Sequence, residues 1–573
     1  MNVKKAILIL FLCTYVISFS QGNANTGKNY PTDYFSNPLK VPLILSGTFG
    51  ELRSNHFHAG LDLKTLGKEG LDVVAPADGY VSRIKVSHWG YGKALYITHP
   101  NGYTTVYGHL KKFNAKIEAY VKKQQYNKES FEIHLFPSAS TLPVSKNEII
   151  AYSGNTGGSG GPHLHFEIRD TNTAKPINPM LFGIKVNDSK KPRVNTLIGY
   201  SLSENSHINS ISKPTQITLV PQKNGDLLAN KIKAFGSIGF GINAYDQLDG
   251  AYNKNGLYSL SLLVNGKLAH QFNADSFSFA ESKYINLLID YERYSNLKQR
   301  IQKCFIEPAN KLSVYKKINN KGYLSIEDGM DYTVEIIAKD FKGNSQKIII
   351  PITGSNERIL VKETINTTPY KIKHNIFNVF KKDGITVAFP KNTFYNDFYL
   401  NFEVQKDSLV KVHTPTVPLN KNYTLTFDVS KYTESQKKLM YIASIDARGR
   451  SNYQTTVKKS TTFYTSTKNL GKFTLLTDNK KPNIYIDNFK NEQWISNHKE
   501  LKIKITDNES GIKSYRGEID GEWILLEYEP KTDVLTYNLS DKKFTTAKHN
   551  LKITVTDNVG NTNILNTTFF RKI

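Results

Sequence analysis

The sequence predicts a mainly β protein that is built from several domains. The chain has 573 residues, which is enough for about three to five domains of ordinary size. Beyond residue 190, short segments alternate apolar and polar side chains, and a pattern of strand, aspartate and glycine turn recurs. One segment alone, 290–303, is interpreted as a helix. These observations predict an N-terminal β domain followed by about three β-sandwich domains.

Residues 1–21 are predicted to form a secretory signal peptide. Lys4 and Lys5 provide the basic start, and an apolar run follows over 6–19, which is short for a membrane span. An uncleaved N-terminal anchor is the alternative. The polar segment 22–38 is interpreted as a linker. We therefore expect an exported protein that is periplasmic, associated with the outer membrane or secreted, without a transmembrane span after removal of the signal.

Composition limits the classes of partner and of metal site. The formal net charge is +25, which suits a polyanionic neighbourhood such as nucleic acid, an acidic cell wall or anionic lipid. Because no nucleic-acid-binding motif is present, a nucleic-acid partner is not expected. Cys13 lies within the predicted signal, so the exported chain keeps only Cys304. One cysteine excludes an intramolecular disulfide, and any metal must be held by His, Asp or Glu.

The first candidate ligands lie in the segment 51–65. His58 and Asp62 are four residues apart and share one face of an extended segment. Gly60 between them argues against a helix. His56 lies on the same face and is a rival ligand, and a motif of this kind also occurs by chance.

A β-hairpin is predicted around Pro100, Asn101 and Gly102. On its second strand, strict alternation places Thr105, Tyr107 and His109 on one face. His109 is then a candidate for chemistry, and Tyr107 for an assisting role. A surface histidine is the simpler interpretation when this hairpin is considered alone.

The segment 154–169, GNTGGSGGPHLHFEIR, is predicted to run from a tight glycine turn into a strand. Leu164, Phe166 and Ile168 form its apolar face, so His163 and His165 share the other face with Glu167. One histidine could bind a metal while the other acts on what the metal activates. Glu167 is either a residue that orients a ligand or a plain surface carboxylate.

In their order and spacing, these motifs resemble those of the lysostaphin-type, or LytM-like, zinc metallopeptidases over residues 49–179. The resemblance implies an antiparallel, barrel-like β domain, predicted here to span 39–189. It implies that one zinc ion is bound by His58, Asp62 and His165, and that His163 and His109 are catalytic. The insertion 114–147, where the family has a short turn, is interpreted as a connection with an extra hairpin that shapes or covers the groove.

The resemblance also implies a function. The chain is expected to be an exported zinc metalloendopeptidase that hydrolyses peptide cross-links of peptidoglycan, with a zinc-activated water and a histidine as general base. A non-catalytic LytM-like activator or binding protein of the envelope is one alternative. Such activators tend to lose ligands, whereas this sequence retains them. A secreted protease that acts on proteins is the other alternative.

The remaining residues are predicted to form β-sandwich domains over 190–354, 355–479 and 480–573, the last resembling immunoglobulin-like modules. Asp340, Asp446 and Asp557 each follow an alternating strand and precede a glycine turn, about 105 to 110 residues apart, which is the size of one sandwich domain. These aspartates could bind calcium, but a role in closing the turn is favoured. We expect the sandwich domains to position the enzyme on its substrate or on envelope partner proteins.

Overall fold

A computed structural model describes residues 29–405 and 408–572. The predicted signal peptide lies outside the described residues, as does the linker up to residue 28. The fold is mainly β, as predicted from the alternating segments. Within the described ranges, no helix has the length and apolar character needed to cross a membrane.

The first region is organised around one antiparallel sheet of nine strands. They are numbered here in chain order: β1 Leu45–Gly47, β2 Leu61–Lys64, β3 Gly79–Val86, β4 Lys93–Thr98, β5 Tyr103–Leu110, β6 Ile133–Leu135, β7 Pro143–Val144, β8 His163–Asp170 and β9 Pro176–Ile177. Their spatial order is β1-β2-β8-β5-β4-β3-β6, with β7 also paired to β3 and β9 to β8. Strand β8 therefore lies between β2 and β5, which brings three distant segments together.

Smaller elements complete the first region. They are a three-stranded sheet of Asp72–Val74, Lys112–Phe113 and Ile149–Tyr152, a two-stranded ribbon of Leu52–Arg53 and His56–Phe57, and a 3-10 turn at Pro179–Phe182. The predicted hairpin at Pro100 to Gly102 is confirmed, since β4 and β5 pair directly across it.

The insertion 114–147 contains a helix, so the predicted hairpin is wrong. Helix α1, Ala115–Lys128, begins at Asn114, whose side chain accepts a hydrogen bond from the Ile117 backbone N–H. Its buried face is narrow, with Ile117, Val121 and Gln125 spaced four residues apart. This stripe is hidden among charged residues, so the polar segment gives little signal of a helix. Strands β6 and β7 both pair with β3 and not with each other.

Residues 190–354 form a 13-stranded sheet that packs closely on the first region. Its strands are Arg193–Ser201, His207–Ile208, Thr215–Ile217, Leu219–Pro221, Leu227–Ala229, Ile232–Tyr245, Ser259–Val264, Lys267–Asn273, Gln302–Lys303, Tyr315–Ile318, Leu324–Ile326, Asp331–Lys339 and Ser345–Gly354. Short helices cover Ile285–Leu288 and Tyr291–Leu297, the latter inside the predicted segment 290–303.

One hydrophobic core runs continuously through the first region and this sheet. At the contact, the Phe277 ring lies 5.2 Å from that of Phe49 and 5.1 Å from that of Phe57, between ring centroids. Buried aromatic pairs of this kind contribute strongly to packing. The two regions therefore share their interior.

The two remaining regions each have two packed sheets with a separate core. The middle one contains Asn378–Lys382, Ile385–Phe389, Tyr423–Asp428, Val457–Lys458 and Thr462–Thr467 in one sheet, Phe402–Val404, Val410–Val412, Met440–Ile445, Ser451–Gln454 and Gly471–Thr477 in the other, the ribbon Lys371–Ile372 with Phe398–Tyr399, and the helix Glu434–Leu439. The last contains Asn483–Ile486, Glu500–Thr506, Glu527–Glu529 and Val534–Asn538 facing Gln493–Trp494, Ile512–Ile519, Glu522–Trp523, Lys548–Asp557 and Thr562–Phe570. The domain boundaries themselves stay a prediction.

The last region folds back onto the insertion helix. Lys122 and Asp541 form an ion pair at 2.6 Å. The Tyr126 and Trp523 rings meet edge to face, with centroids 5.3 Å apart. Beyond the helix, Lys93 on β4 pairs with Glu527 at 2.8 Å. The insertion is thus a docking element for the C-terminal region.

Candidate metal centre

The site is built where β2, β8 and β5 lie side by side. In the register of the sheet, His165 on β8 is directly opposite Asp62 on β2 and Gly108 on β5. Directly opposite residues in antiparallel strands project to the same face with their Cβ atoms about 5 Å apart. A Cβ added at Gly108 would lie 3.3 Å from the His165 Cβ, so the glycine leaves room for the imidazole.

Three ligand atoms converge at this point. His58 Nε2 lies 2.9 Å from Asp62 Oδ1 and 3.0 Å from His165 Nδ1. His165 Nδ1 lies 2.9 Å from the same Asp62 oxygen. In tetrahedral zinc sites with metal–ligand distances of about 2.0 to 2.1 Å, neighbouring ligand atoms are about 3.3 Å apart. The three atoms therefore have nearly the spacing of one face of such a site.

The other ring nitrogens of both histidines are occupied. His58 Nδ1 lies 2.8 Å from the carbonyl oxygen of Thr48, and His165 Nε2 lies 2.8 Å from Glu167 Oε1. These oxygens only accept hydrogen bonds, so each of these nitrogens carries the proton. In the neutral rings, the lone pairs of His58 Nε2 and His165 Nδ1 then point at each other and at Asp62. Converging acceptors in a buried site call for a cation.

The electrostatics of the cluster favour positive charge at its centre. Burial raises the pKa of Asp62, but the imidazoles of His58, His163 and His165 outweigh it and hold that pKa well below its usual value. Burial alone would lower the pKa of His165, but its bonds to Asp62 and Glu167 raise it to about 9. Arg53 donates to Asp62 Oδ2 at 2.6 Å, which leaves Oδ1 free to face the histidines.

Glu167 is buried and hydrogen-bonded to His165, so the interpretation of it as a plain surface carboxylate is wrong. Its oxygens accept hydrogen bonds from His165, from the Tyr91 hydroxyl and from Arg169 Nε, the last at 2.6 Å. Burial raises the pKa of Glu167, but Arg169 and His165 lower it to about 2. A charged carboxylate behind a ligating histidine fixes the tautomer and strengthens the ligand.

His163 and His109 flank the three ligand atoms. His163 Nδ1 lies 2.8 Å from the Gly161 carbonyl oxygen, and its Nε2 lies 3.4 Å from Asp62 Oδ1. His109 Nδ1 lies 2.8 Å from the Thr156 carbonyl oxygen. The two rings are 4.8 Å apart between centroids. Both Nδ1 atoms donate to backbone, so both neutral rings present an unprotonated Nε2.

His109 reaches this face by a route that strict alternation misses. Its φ angle is +58°, and the pairing of β4 with β5 shifts register between Lys93 and Leu95. This β-bulge re-aims one side chain, as bulges near active sites commonly do. Tyr107 stays in the hydrophobic core, where its hydroxyl bonds Thr105 at 2.9 Å. The predicted face shared by Tyr107 and His109 is therefore wrong, and Tyr107 takes no part in the site.

The glycine turn positions the backbone that contacts His109. Gly157 has a φ angle of +70°, and a Cβ there would lie 2.4 Å from the Gly92 backbone nitrogen. Only glycine fits both the conformation and the close approach. The turn thereby fixes Thr156, whose carbonyl oxygen accepts the His109 hydrogen bond.

The structure thus brings together all five residues singled out from sequence and leaves out the rival. His56 is exposed, and its Nδ1 bonds only the nearby Ser54 carbonyl, at 2.7 Å. Arg53 and Tyr91 were not predicted. Tyr91 lies over His165 with ring centroids 4.8 Å apart. Neither residue belongs to a recognisable motif, so their roles emerge only from tertiary contacts.

Comparisons with known proteins identify the region that holds this site. A family model described as peptidase family M23 matches residues 56–126. An uncharacterized metalloprotease of Haemophilus influenzae is 36% identical over 123 residues, which is 22% of this chain and 20% of that protein. The DD-carboxypeptidase/endopeptidase Mpg of Neisseria meningitidis is 33% identical over 129 residues, 22% of this chain and 23% of that protein. The similarity thus spans about a fifth of each relative's length.

A solved structure and a second family model are also similar to parts of this chain. The catalytic domain of lysostaphin from Staphylococcus simulans aligns with 24% of this chain and 90% of its own, at 23% identity and a TM-score of 0.18. A model described as a Zu5-like domain matches residues 369–478, within the middle region. The family match includes His58, Asp62 and His109 of the histidine cluster. Residues 56–126 match peptidase family M23, and the resemblance to lysostaphin-type peptidases stated from the sequence is confirmed.

Proposed function

We propose that this chain is an exported zinc-dependent metalloendopeptidase that hydrolyses peptide cross-links of peptidoglycan. One observation carries the proposal: His58, Asp62 and His165 converge within 3.0 Å of one another while His163 Nε2 faces the same point from 3.4 Å. Three protein ligands with an open fourth position are the pattern of catalytic zinc sites. The donor set of two imidazoles and one carboxylate also suits zinc among the common metals.

The chemistry of the site divides between the metal and the flanking histidines. When bound by His58, Asp62 and His165, a zinc ion lowers the pKa of a water from about 15.7 toward about 7 and polarises a peptide carbonyl. The remaining steps are proton transfers and hydrogen bonds, which fall to His163 and His109.

His163 is proposed as the general base. Its Nδ1 proton is held by the Gly161 carbonyl, so Nε2 is free to accept the proton of the attacking water. The side chain is 14% exposed, and Asp62 Oδ1 lies beside Nε2 to stabilise the imidazolium that forms. The same proton can then pass to the leaving amine as the peptide bond breaks.

His109 is proposed to position the water. Burial and then the neighbouring His165 and His163 lower the pKa of His109 to about 3, so this ring stays neutral in ordinary conditions. Because its Nδ1 proton is given to Thr156, Nε2 accepts a hydrogen bond from the water and orients it. Donating a hydrogen bond to the developing oxyanion would instead require a proton on Nε2 of His109.

Glu167→Gln should weaken zinc binding by about 10- to 100-fold, the effect typical of residues behind a ligating histidine. The amide carries no charge to strengthen His165, and it leaves Arg169 without its partner. Competition with a zinc-binding dye measures the affinity. Tyr91→Phe is the matched control, since it removes one hydrogen bond to Glu167 but leaves the charge. Equal zinc affinity in Glu167→Gln and the wild type would contradict the assigned role.

The substrate is proposed from the resemblance, the predicted export and the basic charge of +25, which suits an acidic cell wall. The test is to incubate the purified chain, with zinc, separately with intact sacculi and with an unfolded protein. Mass spectrometry of released muropeptides then identifies the bond that is cut. Release by the wild type and not by His163→Ala supports the proposal.

The same assay separates the alternatives. Degradation of the protein substrate alone would indicate a secreted protease. Binding to sacculi without release, in the zinc-loaded wild type, would indicate an activator or binding protein of the envelope. Periplasm, outer-membrane association and secretion are the proposed locations, and envelope partners that bind the C-terminal β regions are proposed with them.

A further inference from the structure

Away from the histidine site, the described residues contain two groups of three carboxylates. In each group, one oxygen from every member lies within 4.8 Å of the others. The first acidic cluster is Asp188, Asp246 and Asp340, and the second acidic cluster is Asp478, Asp507 and Asp557. Five of the six lie beyond the predicted peptidase region 39–189, Asp188 lies at its end, and none contributes to the proposed hydrolysis.

The two clusters are copies of one sequence pattern. The motif D-x-K-K-P occurs at 188–192 and 478–482, D-x-x-x-G at 246–250 and 507–511, and D-x-x-G-N at 340–344 and 557–561. Each motif supplies one aspartate to each cluster, in the same chain order. Three matched motifs in two regions of the chain indicate an internal repeat.

The hydrogen bonds are repeated as well. In the first cluster, Asn344 Nδ2 donates to the Asp188 carbonyl at 3.3 Å and to Asp340 Oδ2 at 2.7 Å. In the second, Asn561 Nδ2 donates to the Asp478 carbonyl at 3.0 Å and to the Asp557 carboxylate at 2.8 Å. The same framework is therefore built twice, at the entry to residues 190–354 and at the entry to residues 480–573.

Neither cluster has a basic side chain beside it among the described residues. Over the described ranges, none of the six carboxylates has a Lys or Arg nitrogen within 4.0 Å. Three like charges at this separation repel strongly when they are partly buried. A cation between the carboxylates would remove that repulsion.

A second observation in the first cluster points to a missing partner. Asp246 and Asn255 are each 3% exposed, and the Oδ1 atom of each is buried without a hydrogen-bond partner among the described residues. Their backbones exchange two hydrogen bonds, Asp246 N–H to the Asn255 carbonyl at 3.0 Å and the reverse at 2.8 Å. Directly paired residues project to the same face, so the Asn255 amide oxygen lies on the side of the Asp246 carboxylate. Buried oxygens of this kind normally have a partner.

The middle region provides a natural contrast. Asp446 closes the equivalent turn, accepting hydrogen bonds from the Arg448 and Arg450 backbone N–H groups. Arg450 stands where the other two motifs have asparagine, and its guanidinium pairs with Asp446 at 2.8 Å. The middle region, whose described residues contain no acidic cluster of this kind, thus carries its own cation at this position.

We propose that each acidic cluster binds one calcium ion. Calcium takes six to eight oxygen ligands from carboxylates, carbonyls, amide oxygens and water, which matches the three aspartates of each cluster and, in the first cluster, the nearby Asn255 amide oxygen. The ion would join a connecting segment to the loops of the region that follows. Asp478 connects two regions in this way. Its backbone N–H donates to the Leu439 carbonyl of the middle region at 3.0 Å, and its carboxylate lies in the second cluster. Calcium would therefore fix the orientation of successive regions.

The test is calorimetric titration of the full chain with calcium chloride, after a chelating resin has removed all metal ions and one equivalent of zinc has been added back. We expect two calcium ions per chain in the wild type, one in Asp246→Asn, one in Asp507→Asn and none in the double variant. Asparagine is nearly isosteric and keeps one acceptor oxygen, so these variants preserve the turns. Asp446→Asn is the matched control and should keep two.

Thermal unfolding distinguishes the loss of a calcium site from a variant that fails to fold. Calcium should raise the unfolding temperature of the wild type, whereas without calcium Asp246→Asn should unfold at or above the wild-type temperature, because it removes a repelling charge. Absence of calcium binding to the wild type, or retention of two sites in both single variants, would overturn the proposal. Equal saturation by magnesium at the same concentration would overturn the assignment to calcium. All of these readouts are independent of peptidase activity.

Discussion

His163→Ala should keep one zinc ion per chain and lose peptidoglycan hydrolysis by about 10²- to 10⁴-fold, the usual contribution of a general base. His163 is not among the three converging ligand atoms, so its removal leaves His58, Asp62 and His165 in place. What disappears is the unprotonated Nε2 that faces them. The measurement is zinc content by atomic absorption together with the rate of muropeptide release.

His56→Ala is the matched control for that experiment. His56 lies two residues from His58, but it is exposed and bonds only a backbone carbonyl. Zinc content and rate should both stay at the wild-type level. Wild-type rates in His163→Ala would refute its role as base, and loss of zinc from that variant would make it a ligand instead.

His165→Ala should lose both the metal and the activity. The substitution removes one of three ligands and leaves Glu167 and Arg169 facing an empty space, so zinc should not survive gel filtration. A zinc ion bound by the folded chain and not by the unfolded one would raise the free energy of unfolding, by about 4 kcal/mol at a thousand times the dissociation constant. Adding zinc should therefore raise the unfolding temperature of the metal-free wild type and leave that of His165→Ala unchanged. Stoichiometric zinc in the variant would refute the ligand assignment.

The parts of the site that the sequence predicts are those set by local periodicity. On β8, alternation correctly separates Leu164, Phe166 and Ile168 in the core from His163 and His165 on the other face. The four-residue spacing of His58 and Asp62 likewise places both at one point. On β8 the chain follows regular strand geometry, so counting residues is enough, whereas His58 lies in the break between the strands His56–Phe57 and Leu61–Lys64.

The parts that the sequence misses depend on departures from that geometry or on distant contacts. The bulge at His109 reverses the faces of β5, and a register shift of one residue has no signature in alternation. Helix α1 buries only three side chains, so its pattern resembles a polar loop. Arg53 and Tyr91 act through side chains that meet residues far away in the sequence. The aspartates at 340 and 557 belong to a recurring sequence pattern. The aspartates at 188, 246, 478 and 507 join them in clusters only in the folded structure, so the pattern does not reveal them.

The interior shared by the first region and residues 190–354 sets the smallest unit that can work alone. Phe49 and Phe57 come from the segments that precede the ligands, and both rest on Phe277. A shortened protein that ended near residue 189 would expose these rings to water, and we expect it to aggregate instead of yielding a free-standing lytic enzyme. An active fragment would have to continue to Gly354, the end of the last strand of that sheet. Transplanting this catalytic region onto another targeting module therefore means moving more than 300 residues.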